Sequence, residues 1–208
     1  MPIIYAEYRR FKKAIRDKLP NAPFAGPDVI VHAGWLEQFA ATEAAEVKLF
    51  THHYYAEGPP DNPTSTIENL LKPNAILPGL LGRLEAASRS ARVPYRICET
   101  NSVSDTMAAA LWGLDFMFSL AQCNAGGVNL ETGVNHLGFL SYYTPISPRG
   151  TRPLYYGTLV FSLASRGERV QVTLDNTGLN ITAYAVRSDR ESELELDLPA
   201  ASAALIRM

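Results

Sequence analysis

The sequence predicts an α/β fold: half of an α/β barrel over residues 1–166, followed by part of a β-sheet domain over residues 167–208. Two observations predict it. Up to about residue 166, short apolar runs alternate with longer stretches whose apolar residues recur every three or four positions, the order of parallel strands joined by helices. Beyond residue 167, apolar and polar residues alternate with a period of two and no helical stretch intervenes, as in antiparallel strands with one solvated face.

Tyr5, Tyr8, Phe11, Ile15 and Leu19 fall at helical steps and predict a helix over 3–19, stopped by Pro20-Asn21. A short strand lies within 23–31, interrupted by Gly26-Pro27, and a helix over 34–45 carries Trp35, Leu36 and Phe39 on one side. The run 47–55 reads as the next strand and enters a loop dense in Gly, Pro and Asn at 58–63. Ser65-Thr66-Ile67-Glu68 resembles the capped start of a short helix through Leu71. A helix over 78–91 follows, then a strand over 95–99, a long apolar helix over 104–122 and a strand over 125–130. An irregular stretch reaches Arg152 before a last apolar helix over 153–163. The runs 170–174, 181–186 and 194–198 alternate as strands, with Asp175-Asn176-Thr177-Gly178 a turn between the first two.

Composition narrows the function. The 208 residues are 47% hydrophobic and 19% charged, with a formal net charge of −2. No basic excess points to nucleic acid, and no Lys/Arg block points to an anionic membrane. The cluster Arg9, Arg10, Lys12, Lys13 and Arg16 is interleaved with Phe11 and Ile15, the pattern of a solvated helix face. The apolar run 107–121 is interrupted by Asp115 and reads as a buried helix, not a membrane span. Residues 1–8 lack the long apolar run of a signal peptide. Cys98 and Cys123 form no CxxC pair and read as free thiols, so no structural zinc is expected.

Glu99 is the leading chemical candidate. It ends an apolar strand and is followed by small polar residues and a helix, the position where loops of α/β barrels build active sites. A carboxylate there can serve as nucleophile toward an oxocarbenium-like transition state. Strand alternation then turns Cys98 away, toward the helices. His52-His53-Tyr54-Tyr55 ends another strand on the same rim, and one histidine and one tyrosine should face a sugar. Asn129, Glu131, Asn135 and His136 follow the last barrel strand, Glu131 being the one other acid suited to acid/base work. The histidines, His32 and His136 included, have no metal-ligand spacing, so neither metal nor cofactor is expected. A serine hydrolase would have to use Ser102 or Ser104 with His53 and Asp105, but no GxSxG elbow is present. Gly126-Gly127 alone makes no nucleotide fingerprint.

Seven blocks carry a family resemblance when taken in order: Ala22-Pro23-Phe24-Ala25-Gly26-Pro27-Asp28, Thr51-His52-His53-Tyr54-Tyr55, Glu99-Thr100-Asn101-Ser102, Ser104-Asp105-Thr106, Ala110-Leu111-Trp112, Gly127-Val128-Asn129 and Pro153-Leu154-Tyr155-Tyr156-Gly157. Together they resemble glycoside hydrolase family 79, the β-glucuronidase and heparanase group, over roughly residues 5–165. The resemblance implies the C-terminal half of a (β/α)8 TIM barrel, from about the fourth helix onward, followed by strands of a β-sandwich. It implies a retaining glycoside hydrolase acting on β-linked uronic-acid or related glycosides, with Glu99 as nucleophile and His53, Tyr54, Asn101 and Asn129 lining the sugar pocket. Relatives of this kind are often secreted or lysosomal.

The sequence departs from the family twice. It holds no Asn-Glu-Pro motif of the kind that carries the family's acid/base glutamate, so the chain is expected to be truncated and inactive alone. Ser102-Val103-Ser104-Asp105 also lacks the glycine-rich insertion that helps many relatives hold the uronate carboxylate. The alternatives are a non-catalytic sugar-binding or accessory subunit, or one piece of a split barrel completed by an N-terminal half. Open strand edges and an apolar inner face lead to an expectation of self-association.

Overall fold

A computed structural model describes residues 2–30, 32–57, 62–101, 105–132, 144–147, 150–175 and 178–187. It is a mixed α/β structure with a four-stranded parallel sheet. The elements are α1 (Pro2–Arg16), β1 (Ala25–Ile30), α2 (Ala33–Glu43), β2 (Leu49–His53), α3 (Ile67–Leu70), α4 (Leu77–Ala91), β3 (Tyr95–Thr100), α5 (Met107–Gln122), β4 (Val128–Leu130), β5 (Ile146–Ser147), β6 (Gly150–Thr151), α6 (Pro153–Ala164), β7 (Glu168–Val170) and β8 (Ala185–Arg187). Two compact units result. The first comprises Met1–Tyr54, Ile76–Glu99 and Cys123–Asn129; the second comprises Tyr55–Ala75, Thr100–Gln122 and Leu130–Met208.

The sheet has the order β1-β2-β3-β4, each strand beside its neighbour in sequence. β1 and β2 are parallel, as are β2 and β3. The Gly126 N–H donates to Tyr95 O and the Ile97 N–H to Gly127 O, advancing in the same direction along both segments. Sequential parallel strands with a helix between them follow from the alternation of short apolar runs and helical periodicity.

In the first unit, Phe50, Tyr95 and Ile97 are fully buried on one face of the sheet, and Leu36, Phe39, Leu81 and Leu84 of the helices are buried with them. Phe39 packs edge-on to Phe50, centroids 6.4 Å apart. Gly26 makes room for that ring: a Cβ there would lie 3.0 Å from Phe39 Cζ. The basic face of α1 is not wholly solvated. Arg9 and Lys12 reach the buried carboxylate of Glu43 on α2, at 2.6 and 2.7 Å. In the second unit, Thr66 caps α3 as its sequence suggests, its hydroxyl accepting from the Asn69 N–H at 3.1 Å.

The second unit is built on α5 and α6. Gly157 lies so close to α5 that a Cβ would come within 2.3 Å of Ala110 O. The helix predicted over 104–122 begins at Met107, and Ser104 lies outside the described residues. β5 and β6 form a two-residue antiparallel ladder inside the stretch read as irregular; pairs that short carry no periodicity.

β7 and β8 pair antiparallel, Glu168 with Arg187 and Val170 with Ala185. That orientation is the predicted one, but the ladder uses only the ends of the runs 170–174 and 181–186. The intervening residues bond elsewhere. Tyr184 donates its hydroxyl to Asp115 Oδ1 at 2.5 Å and stacks on Phe118, and Asn180 Nδ2 donates to Leu71 O. The run 194–198 and Asn176 and Thr177 of the predicted turn lie outside the described residues.

Candidate functional site

β2 is regular, while the strands on both sides of it carry a surplus residue, one step apart along β2. On β1, Pro27 pairs with Thr51 and Val29 with His52, leaving Asp28 over. On β3, Ile97 pairs with His52 and Glu99 with His53, leaving Cys98 over. Such bulges re-aim side chains and are concentrated at sheet edges and active sites. Asp28 adopts φ 57, a left-handed conformation that Asp tolerates better than most residues.

Two carboxylates flank one imidazole. His53 Nε2 lies 3.0 Å from Asp28 Oδ1, and His53 Nδ1 lies 3.8 Å from Glu99 Oε2. Both are carboxylate–imidazole contacts, the first the closer. The His53 side chain is 20% exposed, while those of Asp28 and Glu99 are about half exposed, at 53% and 46%. Glu99 therefore presents a solvent-reachable carboxylate at the C-terminal end of a parallel strand, beside an oriented imidazole. The Tyr54 N–H donates to Glu99 O at 3.1 Å and ties the end of β2 to the same residue.

The two histidines part company as alternation requires. His52 is fully buried, its Nδ1 2.6 Å from His53 O, and burial holds its pKa below the ordinary imidazole value. Its Nε2 has no hydrogen-bond partner. Tyr54 is also buried, at 7% exposure. Cys98 and Cys123 are free thiols. The expected seat of Cys98 among the helices depends on regular alternation, which the register shift interrupts. The thiol is only partly buried, and burial first, then the charge of Asp28, push its pKa up, with Arg96 opposing.

Arg96 was not singled out in the sequence, although a charged residue inside the apolar strand Tyr95–Thr100 is the signal that could have found it. Its guanidinium donates to Asn129 Oδ1 at 2.7 Å and to Gly126 O at 3.3 Å. Gly127, at φ 145, leaves the space: a Cβ would fall 2.6 Å from Arg96 Nη2. Asn129, expected to line a sugar pocket, thus has its side-chain carbonyl engaged by Arg96. Thr51, Arg96 and Asn129 make this face of the sheet polar where an apolar inner face was expected. Asp28, quoted within a sequence block, was given no role there; its signal is an acid placed directly after Gly-Pro.

In the second unit, Asn101 is fully buried and its Nδ2 donates to Glu131 O at 2.9 Å. The Glu131 N–H in turn donates to Thr100 O at 3.3 Å. Asn101 Oδ1 and Thr100 Oγ1 are buried without a hydrogen-bond partner. Arg152 Nε approaches Asp105 Oδ2 at 3.6 Å, which engages the acid a serine mechanism would use. Ser102, Ser104, Asn135 and His136 lie outside the described residues. Among the described residues, no three His, Cys, Asp or Glu side chains converge as metal ligands, and no helix is long and apolar enough to cross a membrane.

No protein-family model matches the chain, and no curated protein matches it. Among solved structures, an endoglucanase is similar at 14% identity with a TM-score of 0.44. The match covers 74% of this chain and 52% of that one, so the chain spans about half the length of that structure. The likeness to family 79 therefore stands on the seven sequence blocks.

Proposed function

We propose that this chain carries the nucleophile half of a retaining β-glycosidase site of the β-glucuronidase type, with Glu99 as nucleophile. The observation that supports it is the placement of Glu99, about half exposed at the C-terminal end of β3 with His53 Nδ1 at 3.8 Å. A carboxylate so placed can attack an anomeric carbon. The domain assignment belongs to the same proposal: barrel-type elements over 1–166 and sandwich-type strands over 167–208.

A retaining mechanism needs a second carboxyl group about 5–5.5 Å from the first. The sequence offers no Asn-Glu-Pro motif to supply it. The chain alone should therefore form a glycosyl-enzyme only from sugars whose leaving group departs unprotonated. A 2-deoxy-2-fluoro β-glucuronide with a dinitrophenolate leaving group is the test. Mass spectrometry should place the label on Glu99 and find none on Glu99→Gln, while alkyl β-glucuronides are not turned over. Label on another residue would sink the assignment. Saccharide binding that survives Glu99→Gln without any labelling would favour a sugar-binding module instead. Turnover of alkyl glycosides would mean that the chain holds its own acid, with Glu131 and Glu57 the residues to vary.

A further inference from the structure

We propose that Asp28 is a positioning residue, acting on Glu99 through His53 by fixing which imidazole nitrogen bears the proton and which edge of the ring meets the nucleophile. The proposal rests on the reading of Glu99 as nucleophile only for its catalytic consequence; the coupling of the three side chains stands on geometry.

Asp28 Oδ1 and His53 Nε2 are 3.0 Å apart, so the negative carboxylate favours the tautomer with its proton on Nε2. With Nε2 facing Asp28, Nδ1 is the atom turned toward Glu99 Oε2 at 3.8 Å. Any proton exchanged on the Glu99 side enters and leaves through Nδ1. The ring is only 20% exposed, so its other orientations are restricted by packing as well.

The backbone supports a dedicated role. Asp28 is the surplus residue of β1, outside the regular pairing of Pro27 with Thr51 and Val29 with His52. It holds φ 57, which L residues adopt at a cost that Asp and Asn bear more easily than others. A residue needed only for the ladder would not require this conformation. The bulge instead carries the Asp28 carboxylate to His53 from one side while the bulge on β3 brings Glu99 from the other.

Two substitutions separate the carboxylate from the backbone. Asp28→Gly removes the acceptor and suits the left-handed conformation; Asp28→Asn keeps both an acceptor and the conformation. Nitrogen-15 correlation spectra of the imidazoles, with His53 assigned by loss of its signals in His53→Gln, read the proton directly. In the wild-type chain the neutral ring should carry its proton on Nε2. Asp28→Gly should redistribute it between the nitrogens, Asp28→Asn should retain it on Nε2, and Glu99→Gln should move the Nδ1 resonance alone. In the fluoroglycoside experiment, Asp28→Gly should slow labelling of Glu99 by about ten- to a hundredfold, with Asp28→Asn close to wild type.

Unchanged His53 nitrogens in Asp28→Gly, or a wild-type proton on Nδ1, would overturn the proposal. So would normal labelling in Asp28→Gly after its tautomer has shifted. Absence of labelling in the wild-type chain, with the spectra as expected, would remove the glycosidase reading and leave the Asp28–His53 coupling standing.

Discussion

Asp28, Arg92 and Asn124 all hold left-handed backbone, at φ 57, 56 and 54, and the first two have different reasons for it. Arg92 ends α4, where its N–H bonds back to Arg89 O and Ser88 O, a position that suits glycine. Arg92→Gly should stabilise the first unit by about 0.5–1 kcal/mol in denaturant unfolding, since no side-chain role offsets the strain. Asp28 should behave oppositely in function, as the imidazole spectra would report. Gly127 is the converse case: a side chain at φ 145 would strike Arg96 and dislodge it from Asn129. Gly127→Ala should lower stability by about 1–3 kcal/mol, and an effect under half that size in urea melts would show that the guanidinium can simply move. Glu99, His53, Tyr54, Asn101 and Asn129 could be singled out from the sequence because strand ends and family blocks mark them. Asp28 and Cys98 could not be placed, because a bulge is a property of the pairing between two strands and leaves no trace in either strand's own pattern. Asn129 shows the same limit, since its partner Arg96 lies 33 residues earlier.

Helices and strands were legible where their periodicity was strong, and their boundaries shifted where a local contact decided them. α1 reads as amphipathic, and part of its basic face is anchored, because Lys12 and Arg9 reach the buried Glu43 of α2. Burial alone would raise the Glu43 pKa, but hydrogen bonds from Lys12 and Arg9 outweigh it and hold the carboxyl below its usual range. A depressed folded-state pKa means stability that is fully present above the unfolded value and is lost as pH falls through the folded one. Docking of α1 should therefore weaken in acid, below the ordinary glutamate range, and Glu43→Gln should flatten that dependence. Circular-dichroism melts from pH 7 to 3 would show it; a parallel loss in both proteins would assign the acid sensitivity elsewhere. In the second unit, α5 and α6 approach through Gly157, and Gly157→Ala would push a methyl group into Ala110 O. A cost of about 2 kcal/mol or more is expected in unfolding experiments, because backbone cannot yield as a side chain can. The strands after residue 167 were the least legible. Alternation marked their presence, but Tyr184 bonds to Asp115 of α5 and Asn180 to Leu71 at the end of α3, and only three residues of each strand pair.

For the molecule as a whole, apolar surface remains to be covered. Phe11, Ile15 and Leu19 along the first helical stretch are 58%, 43% and 63% exposed, and β1 and β4 end the described sheet. Exposed apolar surface and open sheet edges favour association. Sedimentation velocity should show mass above one chain at micromolar concentration, reduced by Phe11→Glu with Leu19→Glu; a concentration-independent monomer would refute this. The parallel order of the sheet was legible because helical runs separate successive strands, whereas the polarity of its second face was not, since that depends on Arg96 and Asn129 meeting across the ladder. The paired bulges carry one more consequence, which concerns residue count and not residue type. His53 and Glu99 meet because β3 is one residue longer than β2 at that level. Exchanging Cys98 for alanine or serine should leave the arrangement intact, whereas deleting it would straighten β3 and remove the kink that aims the carboxylate. In a comparison of sequences, such a site is invisible to substitution patterns and is betrayed only by a gap.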